Sequence, residues 1–389
     1  MTILNDDCQA IAESVRARAW ERLAPQAAGT DKTQLFSADM WRELRELGIF
    51  GLPFSPDAGG AGASTLAYIV ALEQIAYASA VAALYPGTTV QVAQVLLAHA
   101  APAVQEQWVP RLVAGEALAA WAFTEPQTGS DPRQLTTQAH HKGDGWVLSG
   151  QKAFISYAAE AAVALVFAVD DDGLVTAFLV DTDQPGWGVG APVEVMAFGG
   201  TGARPVYLDS VQVPASGLVG EPGRGFEVML TGEALGKLRV SAINVGVAQR
   251  ALHEATAYAL QRTHRGIPIG EKFAGIQSLL ADMRAAVLAA RALLYETAEL
   301  HDVDGAGTGP RAAALRLVSG RAAREVTSNA LQICGAYGMS RDMPLERLYR
   351  EAKFYEVAQG SLELQRVIVG KDVLRSFGPD VHQRWRYGR

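Results

Sequence analysis

The side chains that most often carry chemistry are mostly in the wrong spacing here for the common mechanisms. The seven histidines show no metal-ligand pattern. His253-Glu254 lacks the second histidine of a zinc-binding helix face, and His140-His141 precedes a turn, where a surface polar pair is the simpler reading. Cys8 and Cys334 offer neither a disulfide framework nor a thiolate metal site. Pro56 to Ser64 is glycine-rich but has no Gly-Lys-Ser/Thr, so it is a helix connector rather than a phosphate cradle. Gly220, Gly223 and Gly225 do not make the dinucleotide fingerprint and do not sit between a strand and a helix, which excludes a Rossmann dehydrogenase. Two stretches remain. In Thr124-Glu125-Pro126-Gln127-Thr128-Gly129-Ser130-Asp131, short hydroxyl and carboxylate side chains gather as they do in capped turns. In Glu356-Val357-Ala358-Gln359-Gly360-Ser361-Leu362-Glu363, a primary amide precedes a glycine. A carboxylate accepts a proton near neutral pH and an amide does not, while glycine permits a close backbone approach.

The elements that must position these stretches follow from periodicity. With 389 residues the chain is long enough for two or three domains with buried cores. It is 49% apolar and 19% charged, ordinary for a soluble protein, and its net charge of −7 argues against nucleic acid or an anionic membrane as a partner. Asn5, Asp6, Asp7 and Glu13 leave no basic n-region, and no run reaches the ~18 apolar residues of a membrane span. A cytoplasmic location is the expectation. Residues 1–116 read as alanine-rich helices: Met40, Leu44 and Leu47 share a face ended by Gly48, and Leu66, Ile69, Val70, Glu73 and Tyr77 keep a helical spacing that Val90 to Ala98 continues. Across 117–222 the period changes. Trp146 to Leu148, Ala162 to Val169, Leu174 to Asp181 and Val206 to Val213 read as strands, with turns at Asp144-Gly145 and Asp170 to Gly173, giving an antiparallel β domain that closes into a barrel or sandwich. From 223 to 389 long helices return. Ile276, Leu280, Met283, Val287, Ala290 and Leu294 form one seam and Leu315, Val318, Ala322, Val326 and Ile333 another, joined by a glycine-rich connector from Asp302 to Pro310.

In this order several segments match one family. Trp121-Ala122-Phe123-Thr124-Glu125-Pro126 through Gly129-Ser130-Asp131 resembles the first acyl-CoA dehydrogenase signature, Gly150-Gln151-Lys152-Ala153-Phe154-Ile155-Ser156 its Gly-x-Lys-x-Trp-Ile-Thr strand, Arg262 to Gly266 its Arg-x-x-Phe-Gly segment, and Gln332 to Met339 its second signature. The resemblance runs from about Met40 to Leu374. It implies a multi-domain α+β fold: an N-terminal helical domain, a middle β domain and a C-terminal four-helix bundle. It also implies FAD between the β domain and the bundle. Trp121, Phe123 and Thr124 would line the isoalloxazine, with Ser130 near both flavin and thioester. Phe154 takes the place of a tryptophan on the ring and Ser156 that of a threonine near N5, keeping an aromatic face and a hydroxyl. Arg262 would reach a pyrophosphate across a subunit interface, where its guanidinium fork suits phosphate oxygens. Gln332, Gly335 and Ala336 would approach adenosine, and Ser361 and Glu363 other parts of the cofactor. A site completed by a neighbouring chain implies a homo-oligomer, a dimer at least and a homotetramer by family habit. Arg265, Ala274 and Ala336 depart from the usual phenylalanine, glutamine and glycine.

The same resemblance puts Gln359 where the catalytic glutamate stands. The second location that some branches use falls on Gly236, so neither is acidic. Ala234 and Lys237 replace a common aspartate and arginine on that helix, which leaves the thioester carrier open between coenzyme A and an acyl carrier protein. Tyr85, with Leu84 and Val90, is expected to set the depth of the substrate pocket. A positioned base contributes ~10²- to 10⁴-fold. Three readings follow. The base has moved, to Glu233 or Glu356; or the reaction needs no α-proton abstraction, as in elimination of a β-substituent or flavin monooxygenation; or this is a partner-dependent subunit whose glutamate comes from another chain. In each, the backbone N–H of Gln359 and the close approach at Gly360 still allow a thioester carbonyl to be polarised. The electron acceptor would be an electron-transfer flavoprotein or oxygen.

Overall fold

Asn5 and three serines start four of the helices of the N-terminal third. The computed structural model of the chain describes residues 4–129 and 131–377. It opens with α1 (Asp6–Arg22), α2 (Ala27–Thr33) and α3 (Ala38–Glu46), the last begun by Ser37, whose hydroxyl accepts from the Met40 N–H at 3.2 Å. α4 (Thr65–Ala78) is capped by Ser64 and α5 (Ala80–His99) by Ser79. The helical spacing from Leu66 to Ala98 is therefore two helices. Ser79 turns the chain to an extended conformation between them and accepts from the Ala82 N–H at 3.4 Å. α5 is long and apolar enough by length and composition to cross a membrane, against the expectation that no run is. Most of it is buried against neighbouring protein, which explains its composition. α6 (Pro102–Val113) closes the domain.

The β domain is one eight-stranded sheet: β1 (Ala119–Ala122), β2 (Gln138–Lys142), β3 (Gly145–Ile155), β4 (Val163–Val169), β5 (Val175–Asp181), β6 (Trp187–Val189), β7 (Arg204–Pro214) and β8 (Leu218–Val219). The order is β6-β7-β3-β2-β4-β5-β8, with β1 beside β4. It is mostly antiparallel. The exceptions lie around β4, which runs parallel to β1 and meets β2 in parallel at one pair. A long excursion separates β1 from β4 in the chain, as a parallel pair requires. Asp170 to Gly173 forms the expected turn, with the Asp170 carboxylate accepting from the Asp172 and Leu174 N–H groups. The turn expected at Asp144-Gly145 sits one residue earlier, with Gly143 in the left-handed region.

α7 (Gly225–Thr231) leads into the bundle of α8 (Glu233–Gln261), α10 (Ala274–Asp304), α11 (Gly309–Cys334), α12 (Leu345–Val357) and α13 (Leu362–Phe377). A hairpin of β9 (Thr263–His264) and β10 (Ile267–Pro268) and the short α9 (Ile269–Lys272) join α8 to α10. The 302–310 connector is tighter than its glycines suggest: α10 runs to Asp304 and a single 3₁₀ turn, Gly305–Thr308, delivers α11. Of the two seams, Met283, Val287, Ala290 and Leu294 are buried, as are Leu315, Val326 and Ile333, whereas Val318 is exposed. α8 packs against α4, α10 and α11, so the first and last domains share one core, in which each buried Leu, Ile or Val contributes ~1.5–3 kcal/mol. Glu73 is buried on this shared face because Arg291 and the Tyr295 hydroxyl reach it, at 2.8 and 2.9 Å.

Polar ties fix the domains to each other. The Gln34 side-chain amide pairs with both backbone groups of Val195, at 2.8 and 3.0 Å. Arg350 on α12 grips Asp31 through both carboxylate oxygens and the Met196 carbonyl. α12 is thus held to the N-terminal helices and the β domain at once.

Candidate active site

One wall of the site is built on β1 and β3. Trp121, at 5.1 Å, and Phe123, at 5.7 Å, pack their rings on Phe167 of β4. The Ala153 N–H donates to the Thr124 carbonyl at 2.8 Å, tying the loop after β1 to β3. Beneath this tie the Lys152 ammonium is fully buried. It donates to the Phe167 carbonyl at 2.6 Å and pairs with Glu125 at 2.8 Å. Glu125 also accepts from the backbone N–H and hydroxyl of Thr136 and of Thr137. Burial alone would raise its pKa, but the ammonium and these donors bring it down to about 2; burial lowers Lys152 to about 8 against the pull of Glu125. This pair locks the loop to the sheet. Its partners lie 27 positions apart in sequence, and only the pairing of strands shows their connection.

Above the lock, β3 loses register between Lys152 and Ile155, and Phe154 adopts φ 57° with its ring 61% exposed. An exposed aromatic on strained backbone beside a ligand wall is a feature that folding alone does not favour. Ser156 follows, half-buried. Among the described residues neither its hydroxyl nor that of Thr124 has a hydrogen-bond partner. The wall therefore presents aromatic faces and unused hydroxyls, which fits a planar heteroaromatic ring. Ser130, expected beside that ring and the thioester, lies outside the described residues.

The opposite wall is the turn after α12. Gln359 has φ 53° and Gly360 φ 79°. Arg316 of α11, wholly buried, donates through one nitrogen to the carbonyls of Tyr355, Ala358 and Gly360 at 3.0, 3.1 and 3.3 Å. The Gln365 side chain donates to the Gly360 carbonyl at 3.1 Å, and a Cβ on Gly360 would fall 2.7 Å from the same nitrogen. Glycine is required there on both counts. So clamped, the turn leaves the Gln359 side chain exposed, and the Gln359 backbone N–H has no acceptor among the described residues. The Ser361 hydroxyl accepts from the Leu364 N–H at 3.4 Å and starts α13; Glu363 is exposed and paired with Arg366 at 3.0 Å.

The two displaced acids are both engaged. Glu233, in the first turn of α8, pairs with Lys237 at 3.1 Å; its side chain is 34% exposed and that of Lys237 5%. Glu356 pairs with Lys353 at 2.5 Å and Arg324 at 3.5 Å, in a cleft of about 260 Å³ also lined by Arg321, Glu363 and Arg366. Tyr85 does not line an open pocket. Its ring is buried and stacked on Phe36, and its hydroxyl donates to the Gly200 carbonyl and accepts from the Ser37 N–H, so it is a joint between α3, α5 and the β domain. Leu84 and Val90 are buried core.

The remaining cofactor candidates are elsewhere. Arg262 follows α8 and is exposed, with no side-chain partner among the described residues. Gln332, Gly335 and Ala336, all exposed, end α11 close by; Tyr258 and Tyr337 bring the two helix ends together at 6.3 Å. By contrast Tyr157, next to Ser156, acts electrostatically on Arg239 in the second turn of α8. Arg262 lies 23 residues, about 35 Å, further along the same helix. One chain therefore separates these groups by much of its own width.

These features now meet the comparisons. Models of the N-terminal, middle and C-terminal domains of acyl-CoA dehydrogenase match residues 5–116, 120–211 and 223–374. The chain belongs to the acyl-CoA dehydrogenase family. It is 32% identical to a probable acyl-CoA dehydrogenase of Bacillus subtilis over 96% of this chain and 99% of that one. The butyryl-CoA dehydrogenase structure from Megasphaera elsdenii superposes with a TM-score of 0.92 at 32% identity, over 96% and 100% of the two chains. A prolyl acyl carrier protein oxidase superposes with a TM-score of 0.91 at 26% identity, over 95% and 100%. In this acyl-CoA dehydrogenase-type flavoenzyme the first signature and the Gln359–Gly360 segment form the two walls, the Arg262 and Gln332 segments lie by the far end of α8, and the helical, β and helical domains follow in the family's order.

Proposed function

We propose that the protein is an FAD-dependent oxidoreductase that holds an acyl thioester against the Gln359–Gly360 turn and takes no proton there. The observation that carries this is the turn itself. Its left-handed backbone, its Arg316 and Gln365 clamps and its free N–H are all in place, while the side chain at 359 is an amide. A decayed site would not keep a strained conformation held from two sides. The Gln359 N–H polarises the thioester carbonyl, and the Gln359 amide neither accepts the α-proton nor repels an incoming anion.

Phe154, Trp121 and Phe123 would hold the flavin ring, with Thr124 and Ser156 donating hydroxyl hydrogens to its edge. Bound there, the flavin supplies a two-electron acceptor for substrate hydride. Arg262 with Gln332, Gly335 and Ala336 would serve the phosphate and adenosine end of a neighbour's cofactor, since about 35 Å of helix parts them from the ring site of their own chain. The working unit is then a homo-oligomer, a dimer or tetramer. Glu233 is the better candidate for a moved base. It has one cationic partner and is partly open to solvent, whereas Glu356 is buried under two. The likeness to both coenzyme A and carrier-protein enzymes supports either thioester carrier, and the reduced flavin would pass its electrons to an electron-transfer flavoprotein or to oxygen.

Anaerobic mixing of the yellow protein with short acyl thioesters tests this. Bleaching of the flavin band is the expected result, and Glu233→Gln should abolish it; an unchanged rate would remove Glu233 from the mechanism. Product without bleaching would mean elimination rather than oxidation. Silence with every thioester, together with a second chain that co-purifies, would make this a partner-dependent subunit.

A further inference from the structure

Arg239 is an apolar-face position of α8 that carries a guanidinium. It is 3% exposed, and burial lowers its proton affinity. Nη2 donates to the Gln91 side-chain oxygen at 2.8 Å, whereas Nε and Nη1 have no hydrogen-bond partner and are closed to solvent. Tyr68 approaches the same group without the geometry of a full hydrogen bond. Around it the backbone is cleared of side chains: a Cβ on Gly87 would lie 3.1 Å from Nη1, and one on Gly236 3.6 Å from Nη2.

The charge has no counterpart. The groups acting on Arg239 include Tyr68, Tyr355 and Tyr157, all with unpartnered hydroxyls and all held neutral by burial, which raises each of them, Tyr68 to about 12. Arg316, on the other side of Tyr355, is equally uncompensated, with two of its nitrogens unpartnered. Among the described residues neither guanidinium pairs with a carboxylate; their hydrogen-bond partners are the Gln91 oxygen and three backbone carbonyls. Residue 359, where the family pattern has a negative charge, is neutral too. An unpaired buried charge is too costly to keep without a partner, and here the only acceptor in place is the dipole of a half-buried amide, Gln91.

We infer that Arg239 is the seat for a carboxylate carried by the acyl group, so that the substrate is the thioester of a short dicarboxylic acid. The carboxylate takes the place of the Gln91 oxygen on Nη2 and spans to the spare Nη1, so that the two terminal nitrogens form the bidentate fork. Glycine at 87 and 236 lets the guanidinium lie close against the backbone of α5 and α8. The chain is short because α12, which packs on α8, carries Tyr355 about one helical turn before the carbonyl-polarising Gln359. The inference rests on the thioester reading above.

Two pantetheine thioethers, S-butyl and S-(3-carboxypropyl), test it by calorimetry on the oxidised holoenzyme. They share the arm common to coenzyme A and acyl carrier proteins, and they cannot react, so the base question does not enter. The carboxylated ligand should bind at least ~30-fold more tightly than the neutral one, as for a buried charge pair. Arg239→Met should bring that ratio close to unity, and Arg239→Lys should retain part of it. With its buried charge removed, the free Arg239→Met protein should also melt higher than wild type. A wild-type ratio near unity overturns the inference, and so does a ratio that survives Arg239→Met. Binding of the butyl ligand alone would sink this inference and leave the thioester reading standing; binding of neither would sink both.

Discussion

Gln359 differs from a glutamate by one atom type. Glutamine has the volume and shape of glutamate, so Gln359→Glu fits the existing turn without moving Arg316 or Gln365. If proton abstraction is what limits the protein towards a saturated acyl thioester, Gln359→Glu should accelerate anaerobic flavin bleaching by ~10²- to 10⁴-fold. A rate that does not rise would show that the thioester is not seated at this turn. The exchange was legible in the sequence because the surrounding residues match the family motif. Arg239 was not. It falls among Val240, Ile243 and Val247 on a helix whose face reads as core, and only the packed structure shows that its nitrogens lack partners. For Tyr85 the structure adds what the sequence could not show: its hydroxyl is spent on two backbone groups.

At the scale of elements, α12 decides where Gln359 stands, and it carries an ionisable group of its own. Glu351 is buried with one oxygen unpartnered and the other 3.5 Å from Arg347; burial raises its pKa from 4.5 to about 7, against the pull of that arginine. The folded state therefore holds the proton more tightly than the unfolded chain. Stability from this group is full below pH 4.5 and is lost as the pH rises towards 7. Denaturant melts of wild type and Glu351→Gln should diverge over that interval, with the variant losing less stability as pH rises. Parallel curves would place Glu351 in contact with a stronger cation. Periodicity located most helices, yet it ran through the break at Ser79 and left 302–310 as a loop. Both errors have one cause. A serine cap and a 3₁₀ turn end or join helices without disturbing the apolar spacing on either side. β1 and β2 escaped notice because both are short, β1 being three alanines and a tryptophan and β2 mostly exposed polar residues.

For the whole molecule the decisive element is α8. Near its beginning stand Glu233, Gly236 and Arg239; just past its end stands Arg262, at an exposed surface with no partner in its own chain among the described residues. Arg262→Ala should lower the flavin content of the purified protein, read from the ratio of flavin to protein absorbance, while light scattering returns an unchanged particle mass. Full flavin occupancy in that variant would take Arg262 out of the cofactor site. The length of α8 also has a genetic consequence. Where each helix serves substrate in one copy and cofactor in the next, two inactive alleles damaged at opposite ends of α8 can rescue one another in a mixed assembly, because some sites draw an intact end from each. Two alleles damaged at the same end cannot. The pattern of rescue among paired alleles would thus map, without any structure of the assembly, which residues share a site across the subunit boundary.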